Sequence, residues 1–110
     1  MKDCVFCKIA NHELPKEFLY EDEDIMVFPD LNPAREVHFL VLPKKHVVDV
    51  MDLDDKLMIK IFDKIKDLIK KEGLTNKGFK ILNNGGGAQI IDHIHFHLTG
   101  PWGKKERIEL

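Results

Sequence analysis

The chain has no long apolar run: nowhere does it approach the ~18–20 consecutive apolar residues that a membrane-spanning helix requires. Its N-terminal segment likewise lacks the apolar core of a secretory signal, so the expected location is the cytoplasm, with no membrane partner. Basic excess is missing too. With 17 lysines and arginines against 19 aspartates and glutamates, a net charge of −2 and a pI near 6.3, the chain offers no broadly positive surface to a polyanion. That disfavours a nucleic acid polymer as partner and leaves a single nucleotide open. Low-complexity segments are absent as well, and 44% hydrophobic with 33% charged residues is the composition of a soluble globular protein. A length of 110 residues suits one ordinary domain and not two, so residues 1–110 read as one domain around one core.

Cysteine is scarce, occurring only in Cys4-Val5-Phe6-Cys7. A pair at this spacing can be a redox couple, half of a zinc site or two unremarkable thiols. Only three residues precede Cys4, so the strand that leads into a thioredoxin-like centre is missing. A zinc site would need two further ligands, for which His12, His38, His46 and the histidines near the C-terminus are candidates.

Those last histidines form the stretch on which the chain is organised, His93-Ile94-His95-Phe96-His97-Leu98-Thr99. Alternation predicts a strand with Ile94, Phe96 and Leu98 toward a core and His93, His95 and His97 on the other face. One metal ion held by all three is geometrically awkward. At about 3.3 Å per residue the Cα atoms of His93 and His97 lie roughly 13 Å apart, whereas zinc–nitrogen bonds measure about 2.0–2.1 Å. A division of labour among the three is therefore expected.

Between the two ends the pattern is legible. Phe18-Leu19-Tyr20 and Ile25-Met26-Val27-Phe28, separated by four acidic residues, read as a hairpin that Pro29-Asp30-Leu31-Asn32-Pro33 ends. Asp30 can bond its own turn backbone or accept from ribose hydroxyls. His38-Phe39-Leu40-Val41-Leu42 is a nearly continuous apolar run, hence a central strand, stopping at Pro43-Lys44-Lys45-His46. From Asp54 to Glu72, Leu57, Met58, Ile61, Phe62, Ile65, Leu68 and Ile69 recur three and four apart, which predicts one amphipathic helix. Asp52 or Asp54 can cap its start and Gly73 can end it. A fourth strand, Phe79-Lys80-Ile81-Leu82, runs into Asn83-Asn84-Gly85-Gly86-Gly87-Ala88-Gln89. Asn-Gly is a hairpin-turn signal, but three glycines exceed what a tight turn needs, and the backbone N–H groups of such a loop are expected to contact phosphate.

Taken in order, these blocks resemble the histidine-triad family of nucleotide hydrolases and transferases. The resemblance rests on His93 to Thr99, on Cys4-Val5-Phe6-Cys7-Lys8-Ile9, on Phe28-Pro29-Asp30, on His38 through His46, and on the Asn-Gly loop ending at Gln89. It spans about residues 4 to 103. It implies an α+β fold, a five-stranded antiparallel sheet with one long amphipathic helix, paired into a homodimer. It also implies His95 as nucleophile toward the α-phosphorus of a nucleoside phosphate, His97 assisting the leaving group and His38 supporting the network. Asp30 would hold the ribose, and Asn83 or Asn84, with Gln89, would contact phosphate. By the same resemblance Cys4, Cys7, His46 and His93 would hold a structural zinc. The implied substrate is a purine nucleotide or nucleoside phosphoramidate, with dinucleoside polyphosphate hydrolysis, or nucleotide binding with incidental hydrolysis, as alternatives. Two departures stand out. The phosphoramidase branch often carries a hydroxyl residue where this chain has Ile90, and it tends to end in Trp-Pro-Pro-Gly where this chain has Gly100-Pro101-Trp102-Gly103. Leaving-group specificity therefore does not transfer.

Overall fold

The computed structural model describes residues 3–106, so the last four residues of the charged tail lie outside the described residues. In chain order the elements are α1 (Val5–Ala10), β1 (Tyr20–Glu21), β2 (Ile25–Pro29), β3 (Val37–Pro43), a 3-10 turn (Val50–Asp52), α2 (Asp55–Lys71), β4 (Lys80–Asn83) and β5 (Phe96–Gly100). The five strands form one antiparallel sheet in the order β1-β2-β3-β5-β4, which makes the apolar β3 central as its composition predicts.

Helix α2 begins where Asp54 accepts a hydrogen bond from the Leu57 amide at 2.8 Å, and Gly73, with φ of 70°, follows its end. Its stripe of Ile61, Ile65, Leu68 and Ile69 is buried against one face of the sheet, where it meets Ile25, Val27, Val41, Phe96 and Leu98. The sheet's other face carries Met26, Phe28, Leu40 and Leu42, and these are covered by Phe6 and Ile9 of α1. Strands β2 and β3 are thus packed on both faces, which is why they read as continuous apolar runs and not as alternation. A third tie comes from charge. The Lys60 ammonium of α2 reaches Asp24 at 2.7 Å and Asp22 at 3.1 Å, while Asp22 accepts from the Asp24 and Ile25 amides to close the β1–β2 turn.

Coverage of the second face is incomplete, and this creates the site. Cross-strand pairing lines up Leu40, His97 and Leu82, and next to them His38, Thr99 and Lys80. Six-residue α1 shields the β2–β3 end of that face and stops short of the β5–β4 end.

Two features differ from the sequence expectation, the extent of the histidine strand and the two short helical turns. The histidine stretch is only partly strand, since β5 starts at Phe96. The His93 amide donates to the Ile91 carbonyl and the Ile94 amide to the Val47 carbonyl, so this backbone bends out of the ladder. Side-chain alternation nevertheless persists, with Ile94 in the helix-side core beside Phe96 and Leu98. The β4–β5 connection is, as three glycines suggest, a long excursion and not a tight Asn84-Gly85 hairpin, and it closes where Asn83 pairs with Phe96. Helix α1 and the 3-10 turn have no counterpart in the periodicity, being too short to show one.

Two substitutions test this packing. Gly78 sits at φ of 80°, and a Cβ there would lie 2.1 Å from the Gly103 carbonyl oxygen. Gly78→Ala should lower stability by at least ~1 kcal/mol, and Ile61→Ala by ~2–5 kcal/mol through the cavity it leaves. Urea midpoints unchanged from wild type would contradict the backbone approach and the core assignment respectively.

Candidate functional site

Hydrogen-bond partners assign the protons on four imidazoles. The fully buried His93 donates from Nε2 to the Pro43 carbonyl at 2.7 Å, which leaves Nδ1 unprotonated. His95 donates from Nδ1 to the His93 carbonyl at 2.9 Å, so its unprotonated nitrogen is Nε2. Asn83 holds the backbone there, its Nδ2 donating to the His95 carbonyl at 3.1 Å. The amide of Ala34, in the loop before β3, donates to His38 Nδ1 at 2.9 Å, which puts the His38 proton on Nε2, from where it is donated to His97 Nδ1 at 2.9 Å. The His97 proton consequently resides on Nε2. Burial, with His95 and His38 nearby, holds the His97 pKa below 6.5, so the ring is neutral at pH 7.

The rings stand close together, with His95–His97 centroids 5.0 Å apart, His38–His97 5.2 Å and Phe6–His95 5.1 Å. His38, His95 and His97 line a cavity of about 510 Å³ on the open part of the sheet face. Its walls are mainly apolar, from Phe6 and Ile9 of α1, Phe28, Leu31, Leu40, Leu82 and Ile91, with Asp30, Asn32 and Asn84 among the polar groups. A concave apolar pocket with a few convergent polar groups is the usual form of a small-molecule site. Asp30 does two things at once. Its Oδ1 accepts from the Asn32 amide at 2.8 Å, and its Oδ2 lies 3.6 Å from His38 Nε2.

The loop residues are placed differently from one another. Asn84 lines the cavity, while Asn83 is engaged with the His95 backbone. Gln89 is buried, accepting from the Gly87 amide at 3.0 Å and donating to the Val48 carbonyl at 3.2 Å, and it does not line the cavity. The glycine-loop amides expected to face phosphate are partly spoken for, because Asp49 Oδ2 accepts from Gly86 at 2.7 Å and the Gly85 carbonyl accepts from Ala88. Backbone N–H donors, Gly86 first and Met51 next, keep the Asp49 carboxyl below its ordinary range. Asp49 was invisible as a loop anchor, since it lies 37 residues away in sequence. Phe6, Ile9 and Lys16 are cavity residues that sequence reasoning missed, and a helix as short as α1 gives no periodic signal.

A second cluster joins Cys4, Cys7, His46 and His93, whose four ligand atoms lie within 4.8 Å of one another. Cys4 caps α1, its Sγ accepting from the Cys7 amide at 3.3 Å, and the helical turn brings both thiols to one side. His93 Nδ1 is 3.4 Å from Cys4 Sγ and 3.5 Å from Cys7 Sγ, and His46 Nδ1 is 3.1 Å from Cys7 Sγ. A tetrahedral ion with zinc-like bond lengths requires sulfur–nitrogen edges of about 3.5 Å. The residues fit such an ion, and the Pro43 carbonyl supplies the outer partner that presents His93 Nδ1 to it. Without metal, burial and the Cys4 thiol push the Cys7 thiol up to about 11, so metal entry must displace protons.

Asp30, His38 and His97 are also within reach of one ion. Their proton pattern favours a relay instead, because the Ala34 amide obliges His38 to keep its proton on the nitrogen that an ion would need.

An antiparallel α+β sheet with His-x-His-x-His at its open end, and an unprotonated imidazole nitrogen beside an apolar cavity, defines the histidine-triad class. Comparison with known proteins agrees. A family model described as "Scavenger mRNA decapping enzyme C-term binding" matches residues 3–108. An uncharacterised HIT-like protein of Methanocaldococcus jannaschii is 42% identical over 100 residues, spanning 86% of this chain and 76% of its own. The structure of a HIT family hydrolase from Legionella pneumophila matches with a TM-score of 0.83 at 39% identity, covering 89% of this chain and 92% of that one. A histidine triad nucleotide-binding protein from Candida albicans matches at 0.80 and 30% identity, covering 97% and 87%. The chain belongs to the histidine-triad (HIT) family.

The depressed His97 pKa has a consequence for stability. Protonation favours the unfolded chain, so the contribution is fully present above 6.5 and is lost as pH falls through the lower folded value. Urea midpoints should decline below 6.5 more steeply in wild type than in His97→Gln. Equal slopes would show that His97 does not titrate abnormally in the fold.

Proposed function

We propose that this protein is a nucleotide hydrolase that cleaves the α-phosphate bond of nucleoside phosphoramidates or nucleoside monophosphate esters through His95. One observation carries the reading: the Nδ1 proton of His95 is committed to the His93 carbonyl, which leaves the Nε2 lone pair to attack from the cavity wall. The HIT family hydrolase and the nucleotide-binding relative among the matched structures support the same direction. In the first step His95 Nε2 bonds to the α-phosphorus as the bond to the leaving nitrogen or oxygen breaks. The negative charge of the bound phosphate favours the imidazolium form of His97, which gives its Nε2 proton to that atom and returns to the neutral ring. Water then attacks the phosphorus, returns a proton to His97 and releases the nucleoside monophosphate with His95 restored. His38 orients His97 through its shared hydrogen bond, Asp30 accepts from ribose hydroxyls, and Asn84 contacts phosphate. Asn83 positions the His95 backbone and Gln89 braces the loop.

The Cys4, Cys7, His46 and His93 set would hold a structural zinc, which supplies cross-linking of α1 to the β3 and β5 segments when bound. A cytoplasmic location belongs to the same proposal; among the described residues no helix is long and apolar enough to cross a membrane. Pairing into a homodimer is supported by β4 at the sheet edge and by exposed Ile81 on it, with half-exposed Phe62 against Phe96 of the neighbouring strand.

Intact-mass spectrometry of enzyme mixed with adenosine phosphoramidate and quenched without acid tests the reaction. A nucleotidyl adduct should form on wild type and be absent from His95→Ala, with turnover reduced at least ~10³-fold. An adduct that survives in His95→Ala, or a wild type that binds nucleotide without turnover, would overturn the reading. Cys7→Ser should lose bound zinc by elemental analysis and melt at lower temperature. Loss of zinc and activity with melting unchanged would instead indicate a catalytic metal.

A further inference from the structure

The histidine-lined cavity lies across several strands, and its two ends carry different groups. Cross-strand pairing sets Phe28 of β2 opposite Leu40 of β3, and Leu40 opposite His97 of β5. Phe28 and His97 are thus two strand spacings apart, about 9.5 Å between Cα atoms. The β5 end holds imidazoles. At the β2 end stands Lys16, from the segment between α1 and β1, with its ammonium 4.9 Å from the centroid of the Phe28 ring. Lys16 is half-buried and lines the cavity together with Phe28.

Among the described residues Lys16 has no carboxylate within ion-pair distance. Asp30, the carboxylate of the same cavity, is occupied elsewhere, since its Oδ1 accepts from the Asn32 amide at 2.8 Å and its Oδ2 faces His38 Nε2 at 3.6 Å. The Phe28 ring attracts the positive charge but gives the three N–H bonds of the ammonium no oxygen or nitrogen acceptor. Around Lys16 the wall is apolar, with Phe6 and Ile9 of α1 beside Phe28 and the Phe6 and Phe28 ring centroids 5.9 Å apart. A flat ligand group at this end meets hydrophobic surface and one cation.

We propose that Lys16 selects the base of the bound nucleotide, favouring a 6-oxopurine, guanine or hypoxanthine, over adenine. The inference rests on the His95 reading, which puts the α-phosphorus at the β5 end. Asp30 follows β2, and its amide donates to the His38 carbonyl of β3 at 2.9 Å, so a ribose held by its carboxylate lies between the two ends. The base then extends toward Phe28 and turns one edge to the Lys16 ammonium. In guanine the edge bearing N7 and position 6 offers two acceptors, whereas in adenine position 6 carries an amino donor. Lysine has donors only. It therefore gives a charge-assisted hydrogen bond to O6 of a 6-oxopurine and opposes the adenine amino group donor to donor.

Calorimetric titration of the zinc-loaded protein with GMP, IMP and AMP tests the assignment, because nucleoside monophosphates are products of the proposed reaction and bind without turnover. IMP carries O6 but lacks the 2-amino group of guanine, so it isolates the contact in question. GMP and IMP should both bind about tenfold tighter than AMP. Lys16→Met, which keeps an apolar stem against Phe28, should erase the difference. Lys16→Glu should invert it in favour of AMP, a result that loss of folding does not imitate. Equal affinities in the wild type, a preference for GMP that IMP does not share, or a preference that survives Lys16→Met would overturn the proposal and leave the His95 reading standing. Failure of all three nucleotides to bind would overturn both, and an absent adduct with the base preference intact would overturn the His95 chemistry alone.

Discussion

One buried imidazole holds the site together. His93 has no solvent exposure, and burying a ring of this polarity is tolerable only if its nitrogens find partners. Nε2 finds the Pro43 carbonyl at the end of β3, and Nδ1 faces the two thiols. Burial depresses the His93 pKa, which keeps the ring neutral and its Nδ1 available as a ligand. Its backbone carbonyl meanwhile receives the His95 proton. A single residue thus anchors a strand end, completes the cysteine cluster and sets the tautomer of its neighbour. The Phe6 ring, edge-on to both His93 and His95 with centroids 5.7 and 5.1 Å away, closes this unit from the α1 side.

Function follows from how unevenly the sheet is covered. The long helix covers its face with a continuous apolar stripe, whereas the other face has one short helix and then opens. His38 on β3 and His97 on β5 fall where the cover stops, so they are largely shielded yet line the cavity. That position suits groups that must keep a neutral lone pair yet meet a substrate. The amide of Ala34, a loop residue before β3, then decides that His38 is a donor to His97 and not an ion ligand. Ile90, 99% exposed at the cavity rim, leaves the place of a hydroxyl to a side chain that makes no polar contact.

Residue order and periodicity were enough for the long helix, for the centrality of β3, for the apolar face of the histidine stretch and for the family. Each of these is a local pattern repeated over several residues, and the stripe from Leu57 to Ile69 could pack in only one way. The alternation of Ile94, Phe96 and Leu98 likewise named the buried face, even though the backbone leaves the ladder before Phe96. Tertiary structure decided what depends on partners far apart in sequence. The Cys4 to His93 proximity spans 89 residues, and the capture of the Gly86 amide by Asp49 spans 37. The same holds for which nitrogen of each histidine carries the proton, since a tautomer is chosen by the hydrogen bond the other nitrogen makes and not by the residue itself. It holds too for the surroundings of Trp102, because Lys80 and Thr99 become neighbours only when β4 pairs with β5, and Trp102 joins them only as the segment after β5 folds back over the Lys77 and Gly78 backbone.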